Sequence, residues 1–353
     1  MAALPTQCHP RQFITAWREA NPAPPVSYDD ARTHPGDTHR STVTWTGKHE
    51  CVTVYRGQFH DVVVAADRVY RFARTDAAAA RMSGEREVLC AIARIDLGVA
   101  TPVPLEPTAA DEVALAGRAG LVLTKVPGWV LTAVDDTNPV VCAHVAAELA
   151  RLLRAMSAVP GDLLKVLPRN GSGQWAEFAS GVRDRLYPLM SPRGRTRADR
   201  KLAAVQSLGG GHASLVHGDL GAENMLWDSS SAPEATAPSV ASVHRPRGSA
   251  ESPQPLTDGR LDGQRADGLP RLVGVIDWDG AALGDPAEDV ASIAASYGWA
   301  VASEVVDRAG IESSADLLNR ARAIAATFAL QQALAAAEDN DEEELADGLA
   351  GYR

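Results

Sequence analysis

The 353-residue sequence predicts an α+β fold of two unequal lobes: a small N-terminal one built on an antiparallel sheet with one helix, and a larger, mostly helical C-terminal one. Three observations predict it. Alternating and β-branched runs are concentrated between residues 51 and 73 and again at 120–126. Pro127-Gly128 stops the last of these runs, which marks a junction. From about residue 140 onward the apolar residues recur with helical spacing almost to the end of the chain.

Each element has a local reason. Residues 1–40 carry Pro5, Pro10, Pro22, Pro24, Pro25 and Pro35 around one short helical pattern, Gln12 to Ala20, and read as an extension. Cys51 to Arg56 alternates, Gly57-Gln58-Phe59-His60 interrupts, Asp61 to Ala65 is β-branched, Ala66-Asp67 turns, and Arg68 to Ala73 alternates again. Thr75 is the N-cap candidate of a helix to Arg94, in which Gly84 costs about 1 kcal/mol relative to alanine. Val140 to Val159 is periodic through Val141, Val145, Leu149, Leu152, Leu153 and Met156, and stops before Pro160. Trp175 to Leu189 and Arg197 to Leu208 are shorter helical patterns, separated by Ser191-Pro192-Arg193-Gly194. Alanine-rich helices follow at 286–297, 300–309, 314–337 and 341–349, the last capped by Asn340.

Two motifs carry chemistry. Ser214 to Asp228 contains His217-Gly218-Asp219, four intervening residues, then Asn224, between short apolar runs. This is the His-x-Asp-x4-Asn spacing of a kinase catalytic loop, which sets an acid near the attacking hydroxyl and an oxygen donor near the metal. By composition alone it would arise in roughly one chain in fifty, so a second element is needed. Arg271 to Asp289 supplies it: a β-branched run ends in Ile276-Asp277-Trp278, and Gly284-Asp285-Pro286 with Asp289 follows.

Taken together and in this order, these motifs resemble the aminoglycoside phosphotransferase family of small-molecule kinases, over most of the chain from about Tyr55. The resemblance implies a protein-kinase-like bilobal fold: a nucleotide-binding lobe over 41–128 and a catalytic, acceptor-binding lobe over 129–353. It also implies an activity, transfer of the γ-phosphate of ATP or GTP, with Mg²⁺, to a hydroxyl of a small molecule. Asp219 would orient or deprotonate that hydroxyl, Asn224 and Asp277 would hold the metal, and His217 would brace the loop. Arg71, on the third strand of the hairpin, would contact the phosphates, with Arg74 as its competitor, and Glu87 rather than Glu85 would pair with it. The loop at Gly57 would cover the phosphates, although no GxGxxG is present, and the backbone from Thr124 to Val126 would hold the base. Asp285-Pro286 reads as a helix start, and Asp289 as an anchor of the catalytic loop.

The sequence departs from the family between Asp219 and Asp277, where residues 229–270 intervene. That tract is rich in Ser, Ala, Pro and Gly without an aromatic residue, and reads as a disordered insertion at a hairpin tip. Closing a loop longer by some forty residues adds little more than about 1 kcal/mol, so the site can survive it.

Composition bounds the partners. A net charge of −11 disfavours nucleic acid and acidic membranes and mildly favours a cationic small molecule. Cys8, Cys51, Cys90 and Cys142 form no CxxC pair, so neither zinc nor a disulfide framework is indicated. Residues 1–20 lack the apolar core of a signal peptide and no run of about 18 apolar residues occurs, so a cytoplasmic protein is expected. An antibiotic acceptor, aminoglycoside or macrolide, is implied by the resemblance, the 328–352 stretch being closer to macrolide kinases than to choline kinases. Choline, homoserine or sugar kinases of the same fold are the alternative, as is a catalytically weak nucleotide-binding regulator. A metal hydrolase using His217, Asp219 and Asp277 as ligands would leave Asn224 at its fixed spacing unexplained.

Overall fold

The computed structural model describes residues 43–46, 51–56, 60–109, 119–132, 138–170, 173–209, 213–228 and 269–353, together with residues 111, 115 and 134. The 1–40 extension, Gly57 and the 229–268 tract therefore lie outside the described residues.

The small lobe is a five-stranded antiparallel sheet whose strands lie side by side in chain order: β1 (Val43–Thr46), β2 (Cys51–Arg56), β3 (His60–Val64), β4 (Arg68–Ala73) and β5 (Gly120–Thr124). Alternation along β4 sorts its side chains. Tyr70 and Phe72 pack with Val63, Ala65 and Val122 on one face, and Arg71 points to the other. Helix α1 (Asp76–Ile92) begins where the Thr75 hydroxyl accepts from the Ala78 amide, and it runs unbroken through Gly84.

After residues 125–128 the chain enters the helical lobe through the short strand β6 (Trp129–Val130). Helix α2 (Pro139–Ser157) buries Val145, Leu149, Leu152, Leu153 and Met156 in the main core, as its period requires. A second core gathers around α3 (Gln174–Gly181) and α4 (Pro192–Gln206), where Leu186, Leu202, Leu330 and Tyr352 meet. Helix α4 starts five residues earlier than its apolar pattern, because Ser191 caps it and Pro192 occupies the first turn.

Two small sheets position the chemistry. β7 (Ser214–Val216) pairs antiparallel with β10 (Ala282–Gly284), while β8 (Met225–Asp228) pairs with both β6 and β9 (Arg271–Val275). The expected hairpin across the 229–268 tract is thus formed. Helix α5 (Ala287–Ala309) holds the two predicted segments, which meet at a kink where Gly298 leaves the helical conformation at φ 84°, ψ 160°. The predicted helix 314–337 is instead two, α6 (Ser314–Ala325) and α7 (Phe328–Asp339). The buried Thr327 hydroxyl takes the Ile324 carbonyl between them, a competition that periodicity does not register. Asn340 adopts the left-handed conformation that ends α7, and Asp341, not Asn340, caps α8 (Glu342–Gly348). Among the described residues no helix is long and apolar enough to cross a membrane.

Leu149, fully buried on α2, ties the catalytic strands to the helical core. Leu149→Ala should lower unfolding stability by about 2–5 kcal/mol, read from the urea midpoint at unchanged m-value.

Candidate active site

The loop between β7 and β8 is held from below by one carboxylate. Asp289, fully buried near the start of α5, accepts the amides of His217 at 3.0 Å and Gly218 at 2.9 Å. Burial pushes its carboxyl up to about 7, against the two amides that favour the charged form. Asp285 is occupied with structure: it accepts the Ala287 amide and pairs with Arg320 at 2.7 Å. Glu288 turns away from it to Asn170 and Gln174, so no capping box closes there.

His217 braces the same loop from inside. Its Nε2–H donates to the Ile276 carbonyl at 2.9 Å, which leaves Nδ1 to accept the Asp219 amide at 3.2 Å. Burial lowers its pKa, so the imidazole is a neutral strut, with its ring tilted against Trp278. Behind Trp278 two loops touch backbone to backbone. Gly218 has φ +87°, and a Cβ there would meet the Gly280 carbonyl at 2.6 Å, so a side chain at the centre of the motif would force the loops apart.

Asp219, Asn224 and Asp277 converge at this point. Asn224 donates its side-chain amide to the Asp219 carbonyl at 2.9 Å and carboxylate at 3.2 Å, which leaves its own Oδ1 available as a ligand. The Ile276 amide donates to the Asn224 carbonyl at 2.9 Å, so Asp277 emerges from β9 beside Asn224. Asp277 holds φ 65°, ψ 56°, a left-handed conformation that aspartate tolerates better than most residues. The surrounding protein, then the charges of Glu223 and Asp277, push the Asp219 carboxyl up to about 6, against the Asn224 hydrogen bond. The Asn224 amide oxygen and the Asp277 carboxylate are hard oxygen donors of the kind that suits Mg²⁺.

Above them sits Arg71, buried on β4. Its guanidinium is bonded to both carboxylate oxygens of Asp279, lies 3.1 Å from Asp277, and donates to His60 Nδ1 at 2.8 Å. Burial opposes its charge, but Asp277 and Asp279 outweigh that and hold its pKa above the ordinary arginine value. Arg74 pairs instead with Asp61, at 4.0 Å.

The helix carboxylate nearest this cation is not the one expected. Glu87 is exposed, whereas Glu85 is buried and places its carboxylate 3.6 Å from His60 Nε2. Two residues along a helix is a rotation of about 200°, so only one of the pair can face the sheet. Burial, then the charge of Asp279, pushes Glu85 up to about 7. His60 and Asp279 went unnoticed in the sequence. His60 stands in a loop pattern and reaches Arg71 only through the β3–β4 register, in which Val62 faces Arg71. Asp279 lies two residues past Asp277, an adjacency that was the one available signal.

At the junction of the lobes, the Thr124 amide donates to Val103 and its hydroxyl accepts from Val103, while the Lys125 amide donates to Asp67. Those Thr124 groups are committed within the lobe, so the expectation that its amide meets a base is not supported by the bonding. Val126 packs its side chain over Gly274, at the seam between β5 and β9.

A cleft of about 640 Å³ opens beside Asp279 and Gly280. Its walls carry Glu85 and Glu87 from α1 and Glu338 and Asp339 from α7, with Arg81 and Arg185 as the cations. Carboxylates are in excess.

Comparison with known proteins agrees with this architecture. The model of a phosphotransferase enzyme family matches residues 56–237 and 267–344, and the unmatched residues 238–266 fall within the 229–270 tract. Viomycin phosphotransferase of Streptomyces vinaceus is 42% identical over 326 residues, covering 90% of this chain and 99% of that protein. Among solved structures, a complex of an APH(2") enzyme with GDP and kanamycin superposes with TM-score 0.62 at 15% identity, over 96% of both chains. Macrolide 2'-phosphotransferase type I does so with TM-score 0.57 at 18% identity, over 89% of this chain and 91% of that one. At such identities these two structures establish the fold.

Two substitutions separate the loop anchor from the cation. Asp289→Asn sets an amide donor against one of two backbone donors and should destabilise the fold by about 1–3 kcal/mol, measured by denaturant unfolding. Arg71→Ala should lower stability by about 1–3 kcal/mol, since it leaves Asp279 and Asp277 without their cation, and weaken nucleotide binding by about tenfold to a hundredfold in a titration.

Proposed function

The chain belongs to the phosphotransferase enzyme family, and from that premise we propose how its residues divide the work and what they phosphorylate. It is a small-molecule kinase that transfers phosphate to a hydroxyl group, of the antibiotic-kinase type. The observation that carries the division of work is the backbone bond from Ile276 to Asn224, which sets Asp277 beside Asn224 and Asp219.

Asp219 is the residue that receives the acceptor. Its carboxylate, raised to about 6, remains ionised at neutral pH and can orient the hydroxyl and take its proton as phosphate transfers. Asn224 Oδ1 and Asp277 would hold Mg²⁺, which when bound neutralises charge on the phosphates of the nucleotide. Arg71 presents a planar fork to phosphate oxygens, exchanging its bonds to Asp277 and Asp279 for them. Glu85, rather than Glu87, supports the arginine from α1. The donor is ATP or GTP, its base lying near Val126. In this reading residues 41–128 bind the nucleotide, and residues 129–353 carry the acid and the acceptor.

For the acceptor, the near full-length 42% identity to a viomycin phosphotransferase favours viomycin or a close analogue over aminoglycosides and macrolides, for which only distant fold likeness speaks. The excess of carboxylates in the cleft beside Asp279 supports an acceptor that carries positive charge. Glu87 would then serve the acceptor instead of the arginine.

Asp219→Asn should lower kcat for phosphate transfer to viomycin by roughly 10² to 10⁴ and leave the nucleotide KM nearly unchanged. Steady-state kinetics with both substrates varied checks this. A variant that turns over at the normal rate would remove Asp219 from the role given to it.

A further inference from the structure

Arg71 has three partners, and they are not equivalent. Two are carboxylates, Asp277 and Asp279, from the segment after β9 in the other lobe. The third is His60, which lies with Arg71 on one face of the small-lobe sheet, because Val62 faces Arg71 and His60 is two residues back along β3. His60 is 5% exposed, at the edge of the cleft, so little of its imidazole meets water. A guanidinium can only donate, so the 2.8 Å contact fixes Nδ1 as the acceptor and puts the ring proton on Nε2. That N–H faces Glu85 Oε2 at 3.6 Å, longer than a hydrogen bond, and among the described residues both atoms are buried without a hydrogen-bond partner. The chain of contacts therefore runs from Glu85 through His60 to Arg71.

We infer that His60 is a positioning residue for phosphate binding: a neutral imidazole interposed between Glu85 and Arg71 that holds the guanidinium in place when Asp277 and Asp279 release it. The physical argument is one of charge. Phosphate oxygens arriving at Arg71 would repel carboxylates already bonded there, and Asp277 is a residue that would hold the metal. A neutral acceptor neither repels the phosphates nor competes for the metal, so His60 is the partner that can stay. Burial, then Arg71 and Arg81, lowers the imidazole pKa to about 3, which keeps it neutral at working pH. His60, Glu85 and Asp279 also bring donor atoms within 4.8 Å of one another, but two of the three are bonded to the Arg71 cation, so the cluster is organised around arginine and not around a metal.

The inference rests on the reading of Arg71 as the phosphate ligand, and the test keeps the two apart. The full-length protein would be made as His60→Leu, which fills the space without an acceptor, and as His60→Asn, whose side-chain oxygen can stand near the place of Nδ1. Nucleotide affinity is measured by titration with Mg²⁺-ATP and Mg²⁺-GTP, and kcat and KM with viomycin as acceptor. His60→Leu should raise the nucleotide Kd and KM by about tenfold with a smaller change in kcat, and His60→Asn should recover most of that loss. Equal nucleotide affinity in His60→Leu and wild type would overturn the inference. So would equal weakening in both variants that tracks a matched loss of thermal stability, since that is a packing effect. If the wild type binds nucleotide but phosphorylates no acceptor, the acceptor reading fails while the titrations still decide the role of His60. If it binds no nucleotide, both fall.

Discussion

The Ile276 amide donates to the Asn224 carbonyl where β8 and β9 end side by side, and the chemistry of the molecule depends on that meeting. Residues 219, 224 and 277 come from segments parted by a long tract, yet the antiparallel register leaves no freedom in how they face each other. His217 ties the same two segments from within through the Ile276 carbonyl, and Asp289 holds the loop from below through two amides. Burying the Asp289 carboxylate is costly in itself. Two charge-assisted hydrogen bonds recover part of that cost, and what they secure is the backbone path that presents Asp219. Gly218 and Gly280 complete the arrangement by their lack of side chains, which lets the loops approach closely.

The second half of the site is an arginine held between lobes. Arg71 belongs to the sheet, and its strongest bonds cross to Asp277 and Asp279. Each of those ion pairs joins the small-lobe sheet to the segment after β9. In the proposed reading, nucleotide binding is an exchange: phosphate oxygens replace carboxylates on one cation, so the net gain is smaller than the bonds formed would imply. The contact chain from Glu85 through His60 keeps the arginine from losing its orientation during that exchange.

Much of this was legible in the sequence where chemistry imposes fixed spacing. His217 to Asn224 is a single loop, and its length is set by the distance it must span, so the residue types and intervals are readable without coordinates. The end of β9 just before Asp277 and the cap of α1 at Thr75 were legible for the same reason. What was not legible depends on which face of an element turns inward. Glu85 and Glu87 differ by half a helical turn, and the signal that separates them is that Met82, Val88 and Leu89, all buried, stand three or four residues from Glu85. His60 sits where β2 gives way to β3, and without the register its side chain cannot be assigned to a face. The start of α4 at Ser191-Pro192 was hidden because the same dipeptide serves turns and helix caps alike. Thr124 shows a further limit. Whether a backbone amide is free for a ligand depends on a partner such as Val103, which no side-chain pattern announces.

The fate of the γ-phosphate tests the account most directly. ³¹P NMR of the protein with Mg²⁺, ATP or GTP, and viomycin would follow it to its destination. The account predicts a phosphate monoester on the organic acceptor, formed in step with the nucleoside diphosphate. Inorganic phosphate alone, released at the same rate with or without acceptor, would contradict it and make the assembly of Asp219, Asn224 and Asp277 a site for hydrolysis.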